Sequence, residues 1–288
     1  MTVVVKIGGA RAVEPEGALA DIAALREEGT AVTVVHGGST AVDDTLERMG
    51  MEPEYVETPS GVVGRFTDEE TMDAFKMAMA GLVNTDLVTG LQNQGVDAVG
   101  LSGVDGQLLY GPRKSAVRVV EDGTKKIRRG DHSGTIEAVN GDLLRSLLDD
   151  GYTPVASPPM LADDAAEQRS AESETESRHL VAVNTDADRA SAAVTAALGG
   201  TLVSLTDVEG IYRDPDDPST LIERVETPEQ YDELKTAAEG FMGRKVMAAT
   251  EALEGGASEV IVASANAENP IRSAVDGGGT HILPSALE

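Results

Sequence analysis

The sequence predicts an α/β protein, a three-layer αβα sandwich around a mainly parallel sheet. Three observations carry this reading. Short Val/Ile/Leu runs alternate with longer stretches of helical period throughout the 288 residues. The runs are apolar at nearly every position, as strands covered on both faces must be. Their alternation with helical segments is the order that packs helices onto a sheet.

In chain order, Val3–Ile7 is the first expected strand and Pro15–Glu28 the first helix. Ala31–His36 and Ala41–Met49 repeat the pair. The longest helical period covers Asp68–Gln94. Thr67 and Glu70 stand at capping-box spacing before it, and Met72, Phe75, Met79 and Leu82 run down one side as core packing. A strand at Ala98–Leu101 precedes a break in the rhythm. Residues 106–130 read as short antiparallel strands about an Asp122-Gly123 turn, a hairpin signal. A helix over Glu137–Asp149 and a strand over Tyr152–Ser157 resume the alternation. Residues 162–179, ADDAAEQRSAESETESRH, are polar and acidic without a period and read as a surface insertion in a strand connection. Helix Ala187–Leu198, strand Thr201–Thr206, helix Gly240–Glu254 and strand Glu259–Ala263 complete the pattern.

Composition narrows the function. No run of 18 or more apolar residues is present to span a membrane, so no membrane association is expected. The N-terminal stretch has no basic leader segment, and a cytoplasmic protein is expected. The absence of cysteine removes disulfide frameworks, thiolate zinc sites and thiol catalysis. The four histidines lack H-E-x-x-H spacing, which argues against a zinc enzyme. Fifty acids against 23 bases give −27, which argues against nucleic acid as a partner. Only seven of the bases are lysines. Acid excess with few lysines resembles proteins of a very salty cytoplasm, where a Debye length of about 3 Å at 1 M salt makes such self-repulsion tolerable.

Two expected strands run directly into glycines, Lys6-Ile7-Gly8-Gly9 and His36-Gly37-Gly38-Ser39-Thr40. Glycine lets backbone N–H groups approach an anion, and the helix start that follows adds its positive end. The carboxyl ends of parallel strands are also where open α/β sheets bind ligands. Tight strand-to-helix turns need glycine anyway, so the signal is the pair of turns, one led by a lysine in a lysine-poor chain. The common phosphate and hydrolase loops, G-x-x-x-x-G-K-S/T, G-x-G-x-x-G and G-x-S-x-G, are not found in their strand-to-helix contexts.

Further along, Asn184-Thr185-Asp186-Ala187-Asp188-Arg189 opens a helix. One of these side chains is a cap, but two carboxylates and an amide at alternate positions exceed what one cap needs. Thr206-Asp207-Val208-Glu209-Gly210-Ile211-Tyr212 ends a strand in a polar turn. Gly243-Arg244-Lys245 lies at a helix start, where a lysine opposes the macrodipole unless an anion is near.

Taken in order, Lys6 to Gly9, His36-Gly37-Gly38, Gly64-Arg65-Phe66-Thr67, Asn184 to Asp188, Thr206 to Gly210 and Gly243-Arg244-Lys245 resemble the amino-acid kinase family. The resemblance spans essentially the whole chain and looks closest to the acetylglutamate kinase branch. Arg65 to Thr71, Met79 to Asn84, Gly100 to Gly106 and Gly130 to Gly134 are similar to a sub-branch, the LysZ-type kinases. These act on glutamate or 2-aminoadipate attached to an amino-group carrier protein.

The resemblance implies the amino-acid kinase fold, with a substrate lobe over 1–180 and an ATP-binding lobe over 181–288. It implies ATP and Mg2+, at least a homodimer, and phosphorylation of a side-chain carboxylate in arginine or lysine biosynthesis. Acetylglutamate kinase acting on free N-acetyl-L-glutamate is the alternative. A carboxylate is already nucleophilic, so catalysis needs positioning and charge stabilisation rather than a base. By resemblance Lys6 and Lys245 hold the phosphates, Asp188 orients both, and the N–H groups of Gly9, Gly37 and Gly38 are donors to developing charge. Arg65 clamps the substrate α-carboxylate as a bidentate fork, and Asn184 contacts the substrate. Gly8 and Gly9, with Thr206, Asp207, Gly210 and Tyr212, lie against ATP. The metal is held by ATP oxygens and water, with no protein ligand assigned. Ser39 stands where many relatives carry a third glycine, and the 162–179 insertion is not part of the family pattern.

A basic cluster stands apart from this resemblance. Arg113, Lys114, Arg118, Lys125, Lys126, Arg128 and Arg129 put seven of the 23 bases within 17 residues, against only Glu121 and Asp122. A solvated hairpin face accounts for this as readily as a docking surface does. Because carriers of this pathway are expected to be small and acidic, Lys125, Lys126, Arg128 and Arg129 are the docking candidates.

Overall fold

A computed structural model describes residues 2–8, 15–59, 61, 63–121, 123–164, 179–238 and 240–288. Gly9, Asp122 and residues 165–178 of the acidic insertion lie outside the described residues. The elements are β1 (Thr2–Ile7), α1 (Glu16–Glu27), β2 (Ala31–His36), α2 (Ser39–Arg48), β3 (Tyr55–Glu57), β4 (Val63–Arg65) and α3 (Glu69–Lys76). A π-helix, Met77–Val83, leads directly into α4 (Asn84–Asn93). Next come β5 (Ala98–Gly103), β6 (Leu109–Glu121), β7 (Thr124–Gly134), β8 (Ala138–Val139), α5 (Gly141–Asp149), β9 (Thr153–Asp163) and β10 (Leu180–Val183). The last third holds α6 (Ala187–Leu198), β11 (Thr201–Thr206), β12 (Arg224–Val225), α7 (Pro228–Ala237), α8 (Gly240–Glu254), β13 (Glu259–Ser264), α9 (Pro270–Val275) and β14 (Thr280–Ile282).

Strands β13, β11, β1, β2, β9 and β5 run parallel in that order. This is the mainly parallel sheet that the apolar runs predict. β14 pairs antiparallel with β13 at one end. At the other, the far half of β9 pairs with β6 and, antiparallel, with β10. The chain leaves β1 toward β2 and later returns to β11 on the opposite side, so the strand order reverses between β1 and β11. The carboxyl ends of those two strands therefore open onto the crevice where such sheets bind ligands.

Side chains alternate across β1. Val4 packs in a core with Val194 of α6 and Val246 of α8. Val3, Val5 and Ile7 pack in another with Ile22 of α1, Leu91 of α4 and Ile271 of α9. Lys6 has the parity of Val4, so it emerges on the α6/α8 side. A third cluster joins Val42 and Leu46 of α2 to Met72 and Phe75 of α3.

Several elements differ from the sequence expectations. The long helix is capped by Asp68, whose carboxylate accepts the Thr71 N–H at 2.8 Å, and not by Thr67. Its middle is a π-helix, so Leu82 is 45% exposed although a 3.6-residue period puts it on the buried side with Met72, Phe75 and Met79. The helix expected from Glu137 begins at Gly141, capped by Asn140, because Ala138 and Val139 pair with β6. The hairpin strands are longer than expected, with Gly123 at φ 73° in their turn. β9 likewise runs on to Asp163, where it pairs with Leu180 across the base of the acidic insertion. β3, β4, β12, β14, α7 and α9 were not expected from the sequence. Among the described residues no helix is long and apolar enough to cross a membrane.

Candidate active site

Asp186 and Asp188 divide two tasks at the start of α6. The Asp186 carboxylate accepts the N–H groups of Asp188 at 2.9 Å and Arg189 at 3.2 Å, which satisfies the helix end. Asp188 is thereby left for ion pairing. Its Oδ1 meets Lys6 Nζ at 2.7 Å and Lys245 Nζ at 3.4 Å. The end of β1, the first turn of α6 and the second turn of α8 thus converge on one oxygen atom.

Burial alone would raise the Asp188 carboxyl, but the Lys6 and Lys245 ammonium groups outweigh it and hold Asp188 below the usual carboxylate range. Burial pushes Lys245 down, as does its proximity to Lys6, while Asp188 partly restores it. Two cations against one anion leave one net positive charge on the trio itself. That favours a polyanion such as a nucleotide phosphate chain.

The glycine turns flank this trio. The Gly37 N–H donates to the Ile7 carbonyl at 3.0 Å, so it is not a free donor, contrary to the sequence expectation. It extends the parallel ladder by one bond beyond the strand. The Gly38 N–H has no hydrogen-bond partner among the described residues. A Cβ on Gly38 would lie 2.6 Å from Met79 Sδ, so glycine is required there for close approach. Gly8 follows β1 half-buried, while its neighbour Gly9 falls outside the described residues.

Arg65 lies at the end of β4. Its Nη2 donates to Asp43 Oδ1 at 2.6 Å, the Ser39 carbonyl at 2.9 Å and the Tyr55 hydroxyl at 3.0 Å. Among the described residues its Nε is buried without a hydrogen-bond partner. The guanidinium is thus fixed beside the start of α2 with a donor in hand. Asn184 donates from Nδ2 to Thr67 Oγ1 at 2.9 Å, and the Thr67 N–H donates to Asp131 Oδ1 at 3.1 Å. Thr67, expected as a cap, is instead fully buried in this network. Asp43, Tyr55, Thr67 and Asp131 are site residues that the sequence reading missed in this role. The segments around Arg65 and Asp131 carried the sub-branch resemblance, the one signal that pointed there.

The turn after β11 lies beside the same crevice. Thr206 Oγ1 donates to Asp207 Oδ1 at 3.0 Å, and the Tyr212 hydroxyl donates to Glu209 at 3.3 Å. Asp207, Val208 and Glu209 are exposed. Gly210 is needed for packing: a Cβ there would lie 2.6 Å from Thr280 Oγ1 and 2.8 Å from Leu221 Cδ1.

The hairpin sorts its basic residues onto two faces. Val117 pairs with Arg128 and Val119 with Lys126, and Val119 is fully buried. On this face Lys126 pairs with Glu121 at 2.8 Å. Arg128 forks onto both carboxylate oxygens of Glu54 and lies 4.1 Å over the Phe66 ring. These two docking candidates are therefore engaged within the chain. Arg118, Lys125 and Arg129 share the other face with Ile127, which is 64% exposed. None of these three bases has an ion-pair partner among the described residues.

Comparison with known proteins adds to this geometry. A sequence profile described as the amino acid kinase family matches residues 1–264. The chain is 43% identical over 284 residues to the LysW-aminoadipate kinase of Thermus thermophilus, covering 96% of this chain and 98% of that one. It is 33% identical over 285 residues to the LysW-aminoadipate/LysW-glutamate kinase of Saccharolobus islandicus, covering 98% and 99%. It is 38% identical over 280 residues to the acetylglutamate kinase of Methanopyrus kandleri, covering 96% and 98%. Among solved structures, the N-acetylglutamate synthase of Neisseria gonorrhoeae, complexed with coenzyme A and N-acetyl-glutamate, superposes with a TM-score of 0.73 at 26% identity. That match covers 98% of this chain but spans 59% of the synthase chain. The carbamate kinase of Giardia lamblia bound to AMP-PNP shares the fold, with a TM-score of 0.65 at 16% identity and 98% of both chains covered.

Proposed function

The chain belongs to the amino acid kinase family, and from that premise we propose its reaction. It transfers the γ-phosphoryl group of MgATP to the side-chain carboxylate of glutamate or 2-aminoadipate held on a small acidic amino-group carrier protein. The product is an acyl phosphate. The observation that carries the reading is the buried Lys6–Asp188–Lys245 trio at the crevice between β1 and β11. The relatives named for LysW-bound substrates support the acceptor.

A carboxylate oxygen attacks the γ-phosphorus while the bond to the β-phosphate oxygen breaks, and no proton has to move. Charge grows on the transferring oxygens and on the leaving β-phosphate. Lys6 and Lys245 face that charge, and Asp188 holds them apart in one geometry without taking part in proton transfer. The Gly38 N–H is the backbone donor on the opposite wall, and loss of one such donor typically costs about 3 kcal/mol of barrier. Arg65, steadied by Asp43, and Asn184, steadied by Thr67, hold the acceptor. Mg2+ bound with ATP would neutralise phosphate charge, and no side chain of this chain is assigned to it. The turn from Thr206 to Tyr212 borders the nucleoside. In this reading residues 1–180 hold the acceptor and 181–288 hold ATP, Lys6 being the first segment's contribution to the phosphates. The assembly is a homodimer, and the acidic surface is an adaptation to molar salt.

The carrier docks on the outer hairpin face, with Arg118, Lys125 and Arg129 around the exposed Ile127. A charged ring with an apolar centre suits a small acidic protein. Charge reversal at Lys125 and Arg129 together is expected to raise KM for the carrier substrate about 10-fold while kcat stays within about two-fold. An unchanged KM would remove the docking reading.

Hydroxylamine trapping of the acyl phosphate at molar KCl tests the reaction. Product from carrier-bound glutamate or aminoadipate, and little from free N-acetyl-L-glutamate, is expected. Robust product from the free acid would assign the chain to the acetylglutamate kinase reading, which the Methanopyrus relative favours and which shares the whole phosphate site.

A further inference from the structure

His36 has no solvent exposure, and both ring nitrogens are engaged. Nδ1 lies 2.9 Å from the Gly37 carbonyl oxygen, so it carries the proton and donates. Nε2 lies 3.0 Å from Asn84 Nδ2, which also donates to the Val155 carbonyl of β9 at 2.9 Å. A carbonyl can only accept, so Val155 fixes which end of the Asn84 amide faces the ring. That in turn fixes the ring tautomer. Direction thus passes without ambiguity from β9 to Asn84, to His36, to the Gly37 carbonyl.

The Gly37 carbonyl and the Gly38 N–H belong to one planar trans peptide and point opposite ways. Holding the carbonyl therefore aims the N–H. The π-helix supplies Asn84. In an α-helix, residues five apart face directions about 140° apart, five steps of about 100°. Here the Asn84 N–H bonds to the Met79 carbonyl, an i→i+5 bond, which brings Met79 and Asn84 toward one side. Met79 then packs on Gly38 while Asn84 reaches His36. Asn84 is itself admitted by Gly100 of β5, where a Cβ would lie 2.1 Å from its Oδ1.

We propose that Asn84 and His36 form a positioning relay that aims the Gly38 N–H into the phosphate crevice, with the π-helix holding the relay in register. Both are positioning residues, because neither touches the reacting atoms. The kinetic consequence rests on the carboxylate-kinase reading; the orientation of the peptide does not.

Two substitutions separate the relay from mere core packing. The amide nitrogen of an asparagine overlays histidine Nδ1, and that of a glutamine overlays Nε2. His36→Asn keeps a donor to the Gly37 carbonyl and His36→Gln loses it. With the acceptor that the wild type uses, His36→Gln is expected to lower kcat about 10-fold or more with KM for ATP within about two-fold, and His36→Asn to restore most of the loss. Long-range nitrogen NMR of the wild-type ring is expected to show the neutral Nδ1–H tautomer from about pH 5.5 to 8. The Gly38 amide resonance is expected to shift in His36→Gln and to stay near its wild-type position in His36→Asn. Equal kcat in the two variants, an Nε2–H tautomer, or an unmoved Gly38 resonance would overturn the relay. If the wild-type chain phosphorylates none of the acceptors, the kinase reading fails, and the ring tautomer and Gly38 resonance still decide the relay.

Discussion

Asp188 is the group on which the Lys6–Lys245 arrangement depends, because one oxygen serves two ammonium ions. Asp188→Asn leaves Lys6 and Lys245 facing each other with no anion between them. Lys245, already lowered by burial and by Lys6, then loses the partner that holds it up. The charged form is lost at lower pH, so the alkaline limb of the kcat profile moves down, and kcat at neutral pH falls by about 10²-fold. An unchanged alkaline limb would separate Lys245 from the reaction. His36 gives a second test at this scale. Burial lowers its pKa from 6.5 to about 4, against a smaller upward pull from its bond to Gly37. The unfolded chain therefore binds the extra proton between about pH 6.5 and 4, and the folded chain does not. Stability rises with pH across that window and is lost as pH falls through it, by about 3 kcal/mol in all. Urea unfolding of wild type against His36→Asn isolates this, since the substituted side chain does not titrate. The Asp188 contribution has the opposite origin, a lowered carboxyl, and is lost only at more acidic pH.

The long segment from α3 through α4 contains two joints that the residues must satisfy. At its start, Asp68 accepts the Thr71 N–H, and Asp68→Ala is expected to cost about 1 kcal/mol by thermal unfolding without changing KM for the acceptor. In its middle, the π-helix sets Asn84 against His36. Asn84→Ala removes the amide that faces the ring, and circular dichroism is expected to keep its helical signal while kcat falls about as far as in His36→Gln. Wild-type turnover in this variant would show that the Asn84 contact is incidental to activity.

At the scale of the molecule, the surface carries a net charge of −27, with the local excess of base confined to one hairpin. Self-repulsion of that size is strong at low ionic strength and screened within about 3 Å at 1 M salt. The melting temperature is therefore expected to rise steadily from about 0.1 to 1 M KCl, and a flat or falling curve would contradict the salt reading. Opposed to this, in the proposed docking the outer hairpin face attracts an acidic partner only at close range in the same salt. Carrier affinity is then expected to depend on Ile127 as well as on Arg118, Lys125 and Arg129.

The amino-acid sequence by itself determined the α/β class, the parallel core strands and the two glycine turns, and it singled out Lys6, Asp188 and Lys245, which the fold brings together. These are local signals, carried by runs of a few residues whose period or chemistry is legible without neighbours in space. Only the tertiary structure decided which donors are free and which are spent. Gly37 and Gly38 look alike in the sequence, yet the ladder to Ile7 uses the first N–H and leaves the second. Lys126 and Arg128 look like Lys125 and Arg129, yet strand alternation turns one pair onto Glu121 and Glu54 and the other outward. Thr67 reads as a cap until folding buries it beside Asp131 and Asn184. A hydrogen bond or ion pair between residues far apart in the chain has no local signature, because its partner is chosen by the fold.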